Sequence, residues 1–413
     1  MPNTLTVLAT VRAGQEAPLR TVLHAIGDDI KGKRIPVSCS PPRIDFVHSR
    51  SIHFARFALL DDPGTGPDRA RLLFASIYDG DFERHVAELI RITSDMQAIW
   101  GRCEGYGGPS TFAEFVRSHA QDHEAFYIAF REETVDTIRS AIALSQEERD
   151  LTAGTDTGSA GGQFTGSIER VIRGLPIVLD FVRAVGRFGP AVVIRATLRI
   201  IASLDRYPVF RFVNWITRNR MPALKSPYSS VTLDNCAPWR PVGPGDELPV
   251  TSVHATLPDY REDVVTQNQL TLVTVVNPEH VDRVKAVMAA IDSYAKRLST
   301  PGSLIGVGTI HFVRWLLIDD NRRLVLLSDY DGSWENYIAE FAEMILSGLD
   351  AIWETSFGYP PDGARDLPAF KRFLRAHQVP AEMFYSAYPD ATTLNIAAAI
   401  GSARRLREQS AGA

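Results

Sequence analysis

The chain says almost the same thing twice. Residues 98–106 run Ala-Ile-Trp-Gly-Arg-Cys-Glu-Gly-Tyr, and residues 351–359 run Ala-Ile-Trp-Glu-Thr-Ser-Phe-Gly-Tyr. Ile52-His53-Phe54-Ala55-Arg56 returns as Ile310-His311-Phe312-Val313-Arg314, and Tyr78-Asp79-Gly80 as Tyr330-Asp331-Gly332. Further on, Phe112, Phe115, Arg117, His119, Phe126 and Tyr127 are answered by Phe370, Phe373, Arg375, His377, Phe384 and Tyr385. The order never changes and the offset only drifts between 252 and 258 residues, so the chain is a tandem duplication. Each half must then form the same elements, and an apolar face left open on one half has a matching face on the other to close against it.

Within each half the pattern reads strand, helix, strand, strand, helix, strand. In the second half, residues 270–276 are a β-branched run suited to a buried strand. Asn277-Pro278-Glu279 then supplies an N-cap, a proline at the first helical position and an acid in the first turn. Residues 308–318 and 323–329 are two further strands, joined by Asp319-Asp320-Asn321 as hairpin-turn material. Ser333 can cap a long helix carrying Tyr337, Ile338, Phe341, Ile345, Leu349 and Ile352. A short helix with Phe370 and Phe373 leads to a last strand over 383–388. The first half matches, with strands over 4–11, 51–60, 71–77 and 124–130 and helices over 15–27 and 82–99; it adds a longer insert over roughly 31–50.

A βαββαβ order is the ferredoxin-like arrangement, with helices on one face of an antiparallel sheet. The expected fold is therefore α+β: two tandem ferredoxin-like repeats packed as an intramolecular pseudo-dimer, with a helical insert between them. Residues 1–145 form the first repeat and 250–413 the second. Between them come a Gly/Ser-rich flexible linker over 146–166 and a basic amphipathic helical insert with a Pro-rich connector over 167–249. Together with Leu72-Leu73-Phe74-Ala75-Ser76 and Leu324-Val325-Leu326-Leu327-Ser328, this order resembles the dimeric α+β barrel superfamily. Within it the chain distantly resembles dye-decolourising peroxidases and chlorite dismutases.

That resemblance implies a redox enzyme, peroxidase- or oxygenase-like, holding haem or an apolar organic substrate between two sheets. The axial haem ligand would come from the second half, as His377 or His311, with Arg375 and Trp315 beside the cofactor. Arg314, His311 and Asp331 are then the catalytic candidates. A plainer reading stands next to it. His119 and His377 can cap the carbonyl end of a short helix. Arg56 and Arg314, among apolar neighbours, each need an anion, and Asp79 and Asp331 are the candidate partners. Retention of these groups in both halves favours a role in the shared fold. Differences between the halves (Phe57 to Trp315, Phe82 to Trp334, His85 to Tyr337) are the better pointers to function.

The net charge of −5 argues against a nucleic-acid-binding protein. The charge is unevenly spread: residues 165–225 carry eleven Arg/Lys against three acids. Arg195, Arg199 and Arg206 form one stripe there, suited either to an anionic membrane surface or to docking on the acidic repeats. An apolar small molecule or lipid is the expected partner, and a non-enzymatic lipid-like ligand-binding or peripheral membrane protein is the alternative function. Three scattered cysteines and no apolar leader suit a cytoplasmic protein, with membrane association through the basic stripe as the alternative. No Walker loop, HExxH or GxSxG is present, and no metal site is expected.

Overall fold

The structure, a computed structural model, describes residues 2–32, 43–61, 70–152, 266–297, 299 and 301–411. Most of the linker and all of the basic insert and Pro-rich connector, Arg195, Arg199 and Arg206 included, lie outside the described residues.

The strands are β1 (Pro2–Thr10), β2 (Ile52–Asp61), β3 (Ala70–Asp79), β4 (Ala125–Ile128), β5 (Gln267–Val275), β6 (Ile310–Ile318), β7 (Arg323–Asp331) and β8 (Ala381–Ser386). The helices are α1 (Glu16–Ile30), α2 (Phe82–Ile92), α3 (Met96–Ile99), α4 (Phe112–His119) and α5 (Val135–Thr152), then α6 (Val281–Arg297), α7 (Trp334–Trp353), α8 (Leu367–Ala376) and α9 (Thr393–Ala411). The chain is thus α+β, with two four-stranded antiparallel sheets ordered β1-β3-β2-β8 and β4-β6-β7-β5.

The two orders hold the main departure from a pair of self-contained repeats. Each sheet takes three strands from one half and its fourth from the other. β4 leaves the first half to pair with β6, placing Phe126 opposite Arg314. β8 leaves the second half to pair with β2, placing Phe384 opposite Arg56. Helices α1 and α6 pack on these borrowed strands. Arg20 and His24 of α1 both reach Glu382 of β8, His24 at 2.5 Å.

The sheets meet face to face. Leu8, Ala58, Leu60, Leu73 and Ala75 of one pack with Val273, Leu316, Ile318, Val325 and Leu327 of the other. Helices cover the opposite faces, so central strands are buried on both sides and read as continuous apolar runs. β7 is buried at every position. The repeated Ala-Ile-Trp word serves that helical layer: Trp100 stands edge-on to Phe74 at 5.7 Å and 5.2 Å from Phe112, and Trp353 lies 5.9 Å from Phe370. The β6–β7 turn falls where the sequence puts it. Asp319, Asp320 and Asn321 all take left-handed φ (57°, 52° and 67°), a region that Asp and Asn tolerate best among residues with a side chain. Arg71 of the facing sheet donates to Asp319 at 2.7 Å, clamping the turn.

The expected barrel does not close. Closure needs hydrogen-bonded ladders between the outer strands of the two sheets. Among the described residues, β1 and β5 gain only single bridges along their outer edges, Val7 to Ala120 and Leu272 to Gln378. After each bridge the chain departs for the other sheet, so no ladder follows. The resemblance to barrel proteins fails at this point.

Strand exchange carries a consequence that can be measured. A fragment of residues 1–152 keeps β4 but lacks β6, and its β2 lacks β8. Two copies can satisfy each other by lending β4 to β2, as in domain swapping. The fragment is expected to run as a dimer in size-exclusion chromatography with light scattering. A cooperatively folded monomer would rule the exchange out.

Candidate functional site

The polar residues repeated in both halves gather between the sheets and at their ends. A β-bulge at Ile52/Phe54 is matched by one at Ile310/Phe312. Strict alternation would put His311 on the Trp315 face; the bulge instead brings its ring to 5.4 Å from Phe54 of the facing sheet.

Each histidine meets the aspartate of its own Tyr-Asp-Gly word. His53 Nε2 lies 3.1 Å from Asp79 and His311 Nε2 lies 2.6 Å from Asp331. The second oxygen of each aspartate accepts a backbone N–H at the start of a helix: Val135 of α5 and Thr393 of α9, both at 2.8 Å. These two helices were missed in the sequence reading. Their signal is local: the Thr392 hydroxyl accepts from Asn395 N–H while the Asn395 side chain accepts from Thr392 N–H, both at 3.1 Å, a reciprocal capping box. Thr134 and Thr137 form a similar exchange.

The aspartates are therefore occupied, and the expected Arg56–Asp79 and Arg314–Asp331 pairings are not made. The arginines reach across to the other sheet. Arg56 donates to Ser328 O and Leu270 O, each at 2.9 Å, and forms a buried ion pair with Asp329. Arg314 mirrors it, donating to Ser76 O at 3.3 Å. Behind these carbonyls the serine hydroxyls face the helical layer. Ser76 meets His85 at 2.8 Å and Ser328 meets Tyr337 at 2.6 Å. His85 stacks on Tyr78 at 3.8 Å and Tyr337 on Tyr330 at 4.0 Å.

Two substitutions break the mirror, both at the expense of β6. Asp329 has Ile77 as its counterpart, so Arg314 has no carboxylate of its own across the interface and only feels the one bonded to Arg56. Among the described residues it makes no ion pair, and Ser76 O is its one hydrogen-bond acceptor. Tyr388, whose hydroxyl lies 3.0 Å from His53 Nδ1, has Phe130 as its counterpart. His311 Nδ1 accordingly has no hydrogen-bond partner among the described residues. With Nε2 meeting Asp331, Nδ1 is the ring atom left for a further hydrogen bond.

Electrostatics sharpen the contrast. Burial acts against the charged form of both ion-pair partners, lowering Arg56 and raising Asp329, while their mutual attraction opposes it. Burial, then repulsion from Arg56, brings Arg314 down to about 9, with Asp329 acting the other way. Arg314 is 3% exposed and still a cation at neutral pH. His311 and Arg314 both act on Asp329, which places the three groups within electrostatic reach of one another.

The residues suggested for haem do not come together. His377 caps α8, with Nδ1 2.8 Å from Phe373 O, and His119 does the same at Phe115 O, also at 2.8 Å. His377 lies along the outer edge of β5, three strand spacings from β6, or about 14 Å from the row that holds Trp315 and His311. The Arg375 guanidinium is stacked 3.6 Å over the Trp334 ring. Trp315 is buried on β6, with Ala125 of β4 opposite it. These side chains frame no common haem face. Among the described residues no three His, Cys, Asp or Glu side chains gather as a metal site.

No described helix is long and apolar enough to cross a membrane, and the basic stripe expected to meet a membrane surface lies outside the described residues. Comparison with family models, with curated proteins and with solved structures finds no match. The resemblance to the dimeric α+β barrel superfamily and its peroxidase-like members is therefore not upheld.

Proposed function

We propose that this protein is a binding protein that holds an apolar organic molecule between its two sheets, against β6. The observation that carries this reading is the inequality between β2 and β6. The same pair of groups, His and Arg, is fully engaged on β2 and left open on β6. A fold needing only symmetry would close both. After a duplication, the copy that leaves polar groups unsatisfied in an apolar layer is the one expected to meet a ligand. Phe54, Phe312 and Phe384 supply apolar surface beside it; Phe54 lies 5.1 Å from Phe312 and 6.1 Å from Phe384. Asp331 serves as a positioning group, fixing His311, and His311 Nδ1 is the atom offered to the ligand for a hydrogen bond.

On this reading the scaffold is a duplicated ferredoxin-like βαββαβ unit, packed as an intramolecular pseudo-dimer with exchanged outer strands. The mirrored His–Asp–helix contacts and the mirrored Arg-to-carbonyl contacts support that description. A redox reaction drew its support from the barrel resemblance, and no contact between the sheets favours it separately.

The test is titration with Nile red, a neutral apolar dye, followed by competition with 1-hexanol. A saturable, blue-shifted signal that hexanol displaces, weakened in Phe312→Ala, is expected. Absence of saturable binding, together with no small molecule in solvent extracts of the purified protein, would overturn the reading.

A further inference from the structure

The open group on β6 that costs most is a charge. Between the sheets stand two buried guanidiniums, Arg56 and Arg314, and one carboxylate, Asp329, which is bonded to Arg56. Two buried cations sharing one carboxylate leave one positive charge uncompensated, a costly arrangement in a protein interior. The second half shows how this fold answers such a charge: a carboxylate at position 329, one residue past the serine whose carbonyl the arginine holds. The first half has Ile77 in the corresponding place, one residue past Ser76. Arg314 thus occupies a built half-site, with its carbonyl contact present and its carboxylate missing.

We propose that the missing carboxylate is supplied by the ligand: the site at Arg314 takes the anionic end of an organic acid, beside the buried Ile77 that stands where the second half has Asp329. This deepens the preceding reading and rests on it for the ligand's apolar part. A guanidinium suits a carboxylate because its forked N–H groups match the two oxygens. One carboxylate brings the three-group cluster from a net positive charge to neutrality, so a monoanion fits and a polyanion does not. His123, on the chain leading into β4, is lowered in pKa first by burial and then by Arg314, and its Nδ1 lies 3.2 Å from Thr4 Oγ1. His123 is exposed and Thr4 half-buried, so the group nearest Arg314 by charge on this side stands at the surface.

The test uses the full chain, with sodium hexanoate, 1-hexanol and sodium acetate as probes, in calorimetric titration and thermal unfolding. Three proteins are compared: the natural chain, Ile77→Asp and Ile77→Asn. The natural chain should bind hexanoate about tenfold or more tighter than hexanol. Ile77→Asp should lose that preference, keep hexanol binding, and unfold without ligand at a temperature at least as high as the natural chain. Ile77→Asn, equal in size but uncharged, should keep the preference. Equal affinity for hexanoate and hexanol in the natural chain would overturn the anion assignment and leave the apolar site standing. A preference for hexanoate that survives Ile77→Asp would also overturn it. If neither six-carbon probe binds but acetate raises the unfolding temperature of the natural chain and not of Ile77→Asp, the anion site stands, with a free small anion as occupant, and the apolar-ligand reading falls. No effect from any probe overturns both.

Discussion

Replacing Asp329 with alanine is expected to destabilise the protein by roughly 3–5 kcal/mol, the usual cost of removing one partner from a buried ion pair. The expectation is strong here because the carboxylate stands between two buried guanidiniums and is bonded to one. Its loss leaves both cations facing each other in an apolar layer. The double replacement Arg56→Met with Asp329→Leu should cost much less than Asp329→Ala alone, since it removes a cation along with the anion. The exposed pair between Arg117 and Glu83 is the control, expected to contribute within about 1 kcal/mol. Urea unfolding measures all three, with the midpoint moving at constant slope. A loss below about 1 kcal/mol for Asp329→Ala would mean that the inter-sheet cluster is hydrated and not a sealed charge site.

Acid stability should hinge on His85. Burial pushes this histidine from its ordinary 6.5 down to about 3. The folded protein therefore refuses a proton that the unfolded chain accepts once the pH drops below about 6.5. Between those two values the unfolded state holds more protons, so stability is full above the upper value and falls as the medium is acidified toward the lower. At pH 4.5 this one group should have removed about 2–3 kcal/mol relative to pH 7. The second half offers the repair. Tyr337 occupies the matching position, bonds Ser328 at 2.6 Å and stacks on Tyr330, so His85→Tyr has a working precedent within the same chain. That variant should lose the acid slope assigned to His85 while keeping its neutral-pH stability. The measurement is unfolding free energy at the two pH values for both proteins, and parallel losses would show that His85 is not the group responsible.

Much of the fold could be read from the chain, because duplication doubles every local signal. The strand runs, the Ser333 cap and the Asp319-Asp320-Asn321 turn are each fixed by nearby residues, and they stand where the sequence places them. Strand exchange could not be read. β4 and β8 carry near-equivalent sequences, so pairing with the home sheet or the other one satisfies the same apolar pattern. The site was legible in part. His311 and Asp331 do meet, while the arginine partners were misassigned, because the bulges hand the Tyr-Asp-Gly aspartates to the histidines and the arginines point across the interface. The difference between Asp329 and Ile77 was present in the aligned halves all along. Its weight appears only once Arg56 and Arg314 are seen to cross between sheets.

Exchange of the outer strands also sets a clock on synthesis. The β2 edge is complete once residue 61 is made, yet its partner β8 is not finished until residue 386. At ordinary translation rates of about 5–20 residues per second, that edge waits on the order of 20–60 s with its backbone hydrogen bonds unmet. Throughout that interval the nascent first half carries an open strand able to pair with the β4 of a neighbouring chain on the same message. The architecture that makes the finished molecule close on itself makes crowded ribosomes the place where two chains are most apt to be joined by mistake.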